Sequence, residues 1–454
     1  MEATGIQALA WGLLDGGVEL ATAYPGFCAH ELAEWMGSVA TFCINEKNAF
    51  AIAWGASIAG IRSATMFKNV GLNDAADPYV NACVLGVRAG MVVVVFDDIE
   101  VEQSQIQQDS RLYAGFPCSL WLEPRDVTDA YELARQGPTW SEYLECLVVL
   151  RVTNLLTRAR GRISRQKIVK SVRQEWYRAP ERWVVHPVYG RTQRQRLLQR
   201  QEKLADWVDT AYPPPPRFGA TQTVYLAVGM AGSLVQQPID LHLYTLPLPR
   251  SWLTALAEAA GSVQIFEHGM PYVANLVAQS VCKGCLTPHS VTPSIKCSYR
   301  ITDHYEPLYS LLRSIPNRVI VGDLGGHTLD PQHTIDVCLC YGCSVGVATG
   351  LAMADPALRV FCITGDAAFC HSGLTALLEA IMRRIPMTVI VLDNGGSQGT
   401  GGQKLAGDPW ILCEAAEYHN FNFYQLVQLA EPLMQLILQP PSALRVIRLR
   451  IAIE

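Results

Sequence analysis

The chain has 454 residues, half of them apolar (50%), 17% charged, with a formal net charge of −5. These figures exclude a disordered chain and give no reason to expect a nucleic-acid partner. The longest apolar runs, such as Met91–Phe96, are strand-sized, so no membrane span is expected.

The length suits about three domains. The opening MEATGIQALAWGLLDGG has no basic leader region, and the fourteen cysteines are scattered through apolar stretches. Both point to a reduced, cytoplasmic protein. From residue 1 to about 160, helix and strand signals alternate. Ile6–Leu14 and Ala29–Met36 have helical period. Leu20–Tyr24, Ala40–Ile44, Thr65–Phe67 and Met91–Phe96 read as strands. The Lys47–Ile61 helix is crowded with Ala and Gly, which lets it sit close to a neighbouring backbone. This is the pattern of an α/β unit with a mostly parallel sheet.

Glu46 stands where a strand gives way to that helix, with Asn45 as an N-cap. It is either a first-turn carboxylate favoured by the helix dipole or a partly buried acid that shares a proton with a heterocycle nitrogen. His30 is either a helix-face residue or a polar group over a ligand.

Residues from about 151 to 218 are basic and Gln-rich and close on Pro213–Pro216, as a solvated helical connector would. A second, small α/β unit follows, with strands at Val224–Val228, Leu241–Tyr244 and Ser262–Phe266 and a helix at Trp252–Ala259.

The stretch from Val360 to Gln403 carries the chemistry. Two apolar runs, Val360–Thr364 and Met387–Leu392, flank a helical segment expected over 372–383 and make a βαβ unit. Both strands finish at one sheet edge, where open α/β sheets bind ligands. Gly365-Asp366 and Asp393-Asn394 arrive there beside a Gly-rich loop. Asp366, Asn394 and the Gly396 carbonyl are oxygen donors suited to Mg²⁺, which shares its ligands with substrate phosphates. Glycines let the backbone approach the anion, and amides at the helix start face it.

Gly365-Asp366, followed by Asp393-Asn394 after about 25 residues, resembles the thiamine diphosphate motif of the transketolase and 2-oxo acid enzyme superfamily. Farther upstream, YPG, NEK, MFKNVGLNDAADP and SQIQQDSR resemble, in order, the N-terminal domain of the indolepyruvate ferredoxin oxidoreductase alpha-subunit family. The resemblance implies a thiamine diphosphate-enzyme fold of three α/β domains with mostly parallel sheets. They are a pyrimidine-binding domain over 1–165, a transketolase C-terminal-like domain over 219–298 after a linker at 166–218, and a diphosphate- and Mg-binding domain over 299–454. It implies that Glu46 hydrogen-bonds the aminopyrimidine ring. Cofactor contacts are implied for Tyr24, Pro25, Gly26, Gly365, Asp366, Ala367, Ala368, Asn394, Gly396 and Ser397. FCHSG matches a family segment and puts His371 beside the diphosphate; His30, His327 and His371 are candidates for proton transfer. Lys68, Asn73, Asp77, Gln105, Gln108, Asp109 and Arg111 fall at matching motif positions without an assigned role.

The chain also departs from the family. Asn69 stands where the family has His, and Gly326 replaces the cysteine of its GDIGC segment. The closely spaced cysteine runs of its ferredoxin module are not present up to Glu454, and Cys282 with Cys285 are too few for a cluster. Electrons therefore have no visible exit. The expectation is a thiamine diphosphate- and Mg²⁺-dependent decarboxylase of a 2-oxo acid, such as an arylpyruvate, working through an enamine. Non-oxidative release or carboligation to an acceptor carbonyl or thioester would follow, in a homodimer. The alternative is an oxidoreductase subunit passing electrons to a partner chain. A noncatalytic cofactor-binding paralogue is a third class, disfavoured by the joint presence of Glu46, Asp366 and Asn394.

Overall fold

The computed structural model describes residues 1–451 apart from 103, 105, 117, 171–174, 217, 220–221, 260–261, 282–304, 397–402, 405–408 and 424–428. Its largest sheet has seven strands. In spatial order they are Thr245–Leu246, Ser119–Leu122, Leu147–Thr153, Met91–Asp97, Ser63–Lys68, Leu20–Ala23 and Ala40–Phe42. All pairs are parallel except at Thr245–Leu246, which pairs antiparallel to the edge. Met91–Asp97 is buried along its whole length, as a Val-rich central strand covered on both faces must be. Helices cap locally: Thr4 and Gln7 form a capping box at the head of Gly5–Asp15.

A three-stranded parallel sheet follows, ordered Leu241–Leu243, Thr223–Val228, Ser262–Phe266. The C-terminal sheet has five parallel strands ordered Arg318–Gly322, Arg359–Gly365, Thr388–Asp393, Arg445–Ile451, Glu417–Phe423. The connector expected to be solvated is the long helix Gly190–Ala211, which buries Gln193, Arg200, Leu204 and Val208. Its Arg200 donates to the carbonyl of Glu145 at 3.0 Å and to that of Val84.

The N- and C-terminal sheets meet through two helices poor in side chains, Glu46–Ala59 and Ser344–Ala354. A Cβ at Gly55 would lie 2.3 Å from the Val347 carbonyl oxygen, and one at Gly350 would lie 2.1 Å from that of Ile52. The backbones therefore touch, and any side chain at either position would part them. Next to this crossing, Arg383 donates to Thr41 Oγ1 at 2.9 Å and to the Phe42 carbonyl at 2.8 Å, while Glu379 accepts the Ile44 amide. The start of the Glu46 helix is thereby fixed against the C-terminal domain.

Candidate active site

Arg359–Gly365 and Thr388–Asp393 are adjacent parallel strands, with Gly365 opposite Leu392. Their following residues, Asp366 and Asn394, leave the sheet at one edge. Asp366 is 2% exposed. Its Oδ1 accepts the Ala367 amide and its Oδ2 the Gly396 amide, both at 2.8 Å. Burial, reinforced by neighbouring Asp393, pushes its pKa up to about 6. Asp393 is itself held by Arg448 at 2.6 Å.

The Asn394 amide brings one terminal atom to 3.3 Å from Asp366 Oδ1 and 2.7 Å from the Gly396 carbonyl oxygen. As placed, that atom is oxygen, so three acceptors face one another with no proton between them. Turning the amide would put its NH₂ there as a donor to both. A hard cation removes the need for that turn. Neighbouring ligands of an octahedral Mg²⁺ stand about 3 Å apart, which matches the spacing of these oxygens. Gly396 has φ 153°, and a Cβ on it would sit 2.2 Å from the Gln403 carbonyl oxygen, so only glycine serves there. Ser397 lies outside the described residues.

The helical path begins at Asp366, not at 372 as the sequence period suggested. A turn over Asp366–Ala368 runs into a π-helical turn over Phe369–Gly373 and then into Leu374–Met382. The π turn shifts the period, which hid the true start. It leaves Ala367 and Ala368 beside the Asp366 carboxyl and puts His371 on the exposed side. There its ring packs at 5.1 Å on Tyr341 and its Nδ1 bonds Ser372 Oγ at 3.0 Å.

His327 is 4% exposed and lies against Gly325 and Gly365. Its Nε2 has no hydrogen-bond partner among the described residues. Burial lowers its pKa to about 4, so the ring is neutral. A neutral buried ring beside Gly365 is suited to donating to an anion rather than to relaying protons. The sequence had marked His327 only as a candidate for proton transfer.

Asp323 was missed altogether. It is fully buried and accepts from the Gly342 amide at 2.6 Å, the Leu324 amide at 3.1 Å, Ser344 Oγ at 2.7 Å and Thr364 Oγ1 at 3.2 Å. It ties together three chain segments, at Leu324, at Gly342 with Ser344, and at Thr364. The available signal was Gly322-Asp323 at the end of an apolar run, the same pattern as Gly365-Asp366.

A second group of the residues singled out in the sequence lies on the seven-stranded sheet. Glu46 opens its helix behind Asn45, whose side chain accepts the Asn48 amide at 2.9 Å. The Glu46 carboxyl is half-buried. Burial raises its pKa, and the charge of Asp74 raises it further. A Cβ at Gly71 would fall 2.5 Å from Glu46 Oε1. Tyr24, Pro25 and Gly26 follow the adjacent strand, and the Gly26 carbonyl accepts His30 Nδ1 at 3.0 Å. A carbonyl cannot donate, so Nδ1 carries the proton and Nε2 of the neutral ring is a bare acceptor. Next to Glu46, Lys47 Nζ pairs with Asp77 at 3.1 Å and donates to the Tyr341 carbonyl at 3.2 Å. Through Tyr341 one chain connects the Glu46 helix to the His371 turn.

Of the residues singled out in the sequence, Asp366, Ala367, Ala368, Asn394, Gly396, His327 and His371 gather around the C-terminal edge. Glu46, Tyr24, Pro25, Gly26 and His30 line the N-terminal one. Asn69 Nδ2 and Asn73 Nδ2 donate to Gln108 at 2.9 and 2.8 Å. Arg111 and Asp109 belong to a buried ion network with Arg151, Asp97, Glu123 and Glu267. Gln105, Cys282 and Cys285 lie outside the described residues. No helix among them is long and apolar enough to cross a membrane.

Residues 321–432 match the family described as thiamine pyrophosphate enzyme, C-terminal TPP binding domain. The chain is 26% identical to indolepyruvate oxidoreductase subunit IorA of Archaeoglobus fulgidus, covering 91% of this chain and 77% of that protein. Its identity to the subunit of the same name from Pyrococcus abyssi is 27%, covering 89% and 76%. Among solved structures it is similar to the thiamine diphosphate-dependent 4-hydroxybenzoylformate decarboxylase of Rhodococcus jostii RHA1, with TM-score 0.57, 14% identity and full coverage of both chains (100%). It is also similar to 2-oxoglutarate:ferredoxin oxidoreductase from Magnetococcus marinus, with TM-score 0.50, 15% identity and coverage of 62% and 60%.

Proposed function

We propose that this chain, which has the thiamine diphosphate-enzyme fold and resembles the indolepyruvate oxidoreductase subunits, binds thiamine diphosphate through Mg²⁺ and decarboxylates a 2-oxo acid as one subunit of an oxidoreductase. The observation that carries the reading is the convergence of Asp366 Oδ1, the Asn394 side-chain amide, whose oxygen or NH₂ can turn to this point, and the Gly396 carbonyl. These three would hold the cation and, through it, the diphosphate. His327 Nε2, buried without a hydrogen-bond partner among the described residues, would donate to a phosphate oxygen when it carries the ring proton. At the other end, Tyr24 to Gly26 and Glu46 would seat the pyrimidine.

Thiamine diphosphate, when bound, supplies the electron sink that lets a 2-oxo acid lose carbon dioxide. The residues then have distinct tasks. Glu46, half-buried against Gly71, would share a proton between its carboxyl and a ring nitrogen. His30 Nε2 accepts a proton on one side. His371 moves one on the other.

The IorA relatives favour an oxidative outcome over the non-oxidative release or carboligation expected from the sequence. In that outcome two electrons pass to a partner chain that carries a redox centre, and the acyl group left after loss of carbon dioxide passes to a thiol such as coenzyme A or to water. The test has two steps. Titration calorimetry should show thiamine diphosphate binding with Mg²⁺ and none with EDTA; binding that ignores Mg²⁺ would sink the reading. Indolepyruvate with a viologen dye and a candidate partner chain should then give dye reduction. Carbon dioxide release without dye reduction would restore the non-oxidative reading.

A further inference from the structure

Charged side chains crowd the carboxyl-end edge of the seven-stranded sheet, and most are committed. Lys47 pairs with Asp77 at 3.1 Å. Arg111 pairs with Asp109 at 2.5 Å and Glu267 at 2.7 Å. Arg151 pairs with Asp97 at 2.7 Å and Glu123 at 2.9 Å. Arg158 pairs with Glu102. Two groups differ. The Lys68 ammonium has no ion-pair or hydrogen-bond partner among the described residues, and the Glu46 carboxyl has no ion-pair partner there and bonds its own backbone.

They stand close together by construction. Lys68 ends the strand Ser63–Lys68, between Leu20–Ala23 and Met91–Asp97, and caps the short helix Asn69–Asp74. Three residues on, Gly71 backs against the Glu46 carboxyl. The Lys68 arm runs along the loop that follows Tyr24: a Cβ at Gly26 would lie 3.3 Å from Lys68 Cβ and 3.9 Å from its Cδ. Gln108 closes over the same turn through Asn69 and Asn73. Lys68 is half-buried. An ammonium kept partly out of water with no counter-charge costs stability unless a ligand supplies one.

We propose that Lys68 binds the carboxylate of the 2-oxo acid. The inference rests on the reading of the site given above, in which Glu46 seats the pyrimidine. The reacting carbonyl must lie next to that end of the cofactor, and the acid brings its negative charge there. The diphosphate, the other anion in play, is assigned to the Asp366 edge of a different sheet. Lys68 then fixes the acid by its charged end and leaves its side chain to the rest of the pocket. It discriminates a 2-oxo acid from an aldehyde with the same side chain, which lacks the carboxylate.

The test is equilibrium binding to the Mg²⁺- and thiamine diphosphate-loaded protein in a Glu46→Gln background, which keeps the acid from being consumed. The probes are indolepyruvate, pyruvate, 2-oxoglutarate and, as the carboxylate-free control, indole-3-acetaldehyde. Lys68→Met should weaken the best-bound acid roughly tenfold to a hundredfold, the value of one charge-assisted hydrogen bond. The aldehyde should bind as before, and Lys68→Arg should recover part of the loss. Equal loss for acid and aldehyde, no loss for the acid, or binding of none of the three acids would overturn the proposal. A Lys68→Met protein that instead loses affinity for thiamine diphosphate would also overturn it and assign the lysine to the cofactor's anion. If thiamine diphosphate does not bind but an acid binds in a Lys68-dependent way, the anion site stands and the reading of the cofactor falls.

Discussion

The Glu46 carboxyl occupies the space in which any side chain at position 71 would stand: a Cβ there would lie 2.5 Å from Oε1 and 2.6 Å from Cγ. Gly71 lies inside a helix at an ordinary negative φ, so alanine would otherwise favour that helix by about 1 kcal/mol. What alanine displaces is the Glu46 carboxyl, the acid proposed to seat the pyrimidine. Gly71→Ala should therefore fold and melt within a few degrees of the parent while its turnover falls on the order of a hundredfold, the cost of moving a catalytic group by about 1 Å. Glu46→Gln should lose turnover with the cofactor still bound. A Gly71→Ala enzyme with parental turnover would show that the Glu46 carboxyl has no fixed place.

The oxygens of Asp366, Asn394 and Gly396 predict a metal-dependent affinity. Asp366→Ala and Asn394→Ala each remove one proposed ligand, and each should weaken Mg²⁺-dependent thiamine diphosphate binding at least roughly tenfold. Stripping Mg²⁺ with EDTA should return the melting temperature of the loaded protein to that of the free one. Calorimetry and thermal melts check both. An Asn394→Ala protein with unchanged affinity would show that the amide faces Asp366 as a donor and never as a ligand.

Much of this arrangement was legible along the chain. Two apolar runs ending on Asp366 and Asn394 announce a parallel pair, and parallel strands end at the same edge. The small residues of the Glu46 helix announce a close neighbour, although only the structure shows it to be Ser344–Ala354. Other features have no local signature. Arg111 meets Glu267 across 156 residues, and Thr245–Leu246 leaves the unit read as separate to pair with Ser119–Leu122. The Gly190–Ala211 helix reads as solvated because its buried face includes Arg200 and Gln193, whose polar groups find backbone carbonyls. Asp323 is a single acid, and its four donors come from three separate segments.

The Arg111 network makes its own prediction. Arg111 is buried between Asp109 at 2.5 Å and Glu267 at 2.7 Å, and it donates to the Met270 carbonyl at 2.9 Å. Removing it leaves buried carboxylates unpaired, which costs about 3–5 kcal/mol. Arg111→Met should lower the urea midpoint accordingly. Replacing Arg111 and Glu267 together, Arg111→Met with Glu267→Gln, should recover part of the loss. An Arg111→Met protein as stable as the parent would show that the network is solvated.

His327 gives the pH dependence. Its ring is buried against Gly325 and Gly365, and burial holds its pKa near 4 in the folded chain against about 6.5 when unfolded. The folded form therefore keeps the ring neutral. As pH falls from 6.5 to 4, the unfolded chain takes up a proton that the folded chain refuses, so stability declines through that window and levels off below it. The full loss is about 3 kcal/mol, and nothing is lost above pH 6.5. Urea midpoints of the cofactor-free protein at pH 7 and 4.5 should show that decline, and His327→Leu should lack His327's share of it. A diphosphate accepting from Nε2 favours the protonated ring, so thiamine diphosphate with Mg²⁺ should raise the pKa of His327 and shrink the acid loss. If His327→Leu reproduces the parent's profile in both states, the ring titrates freely and faces no phosphate.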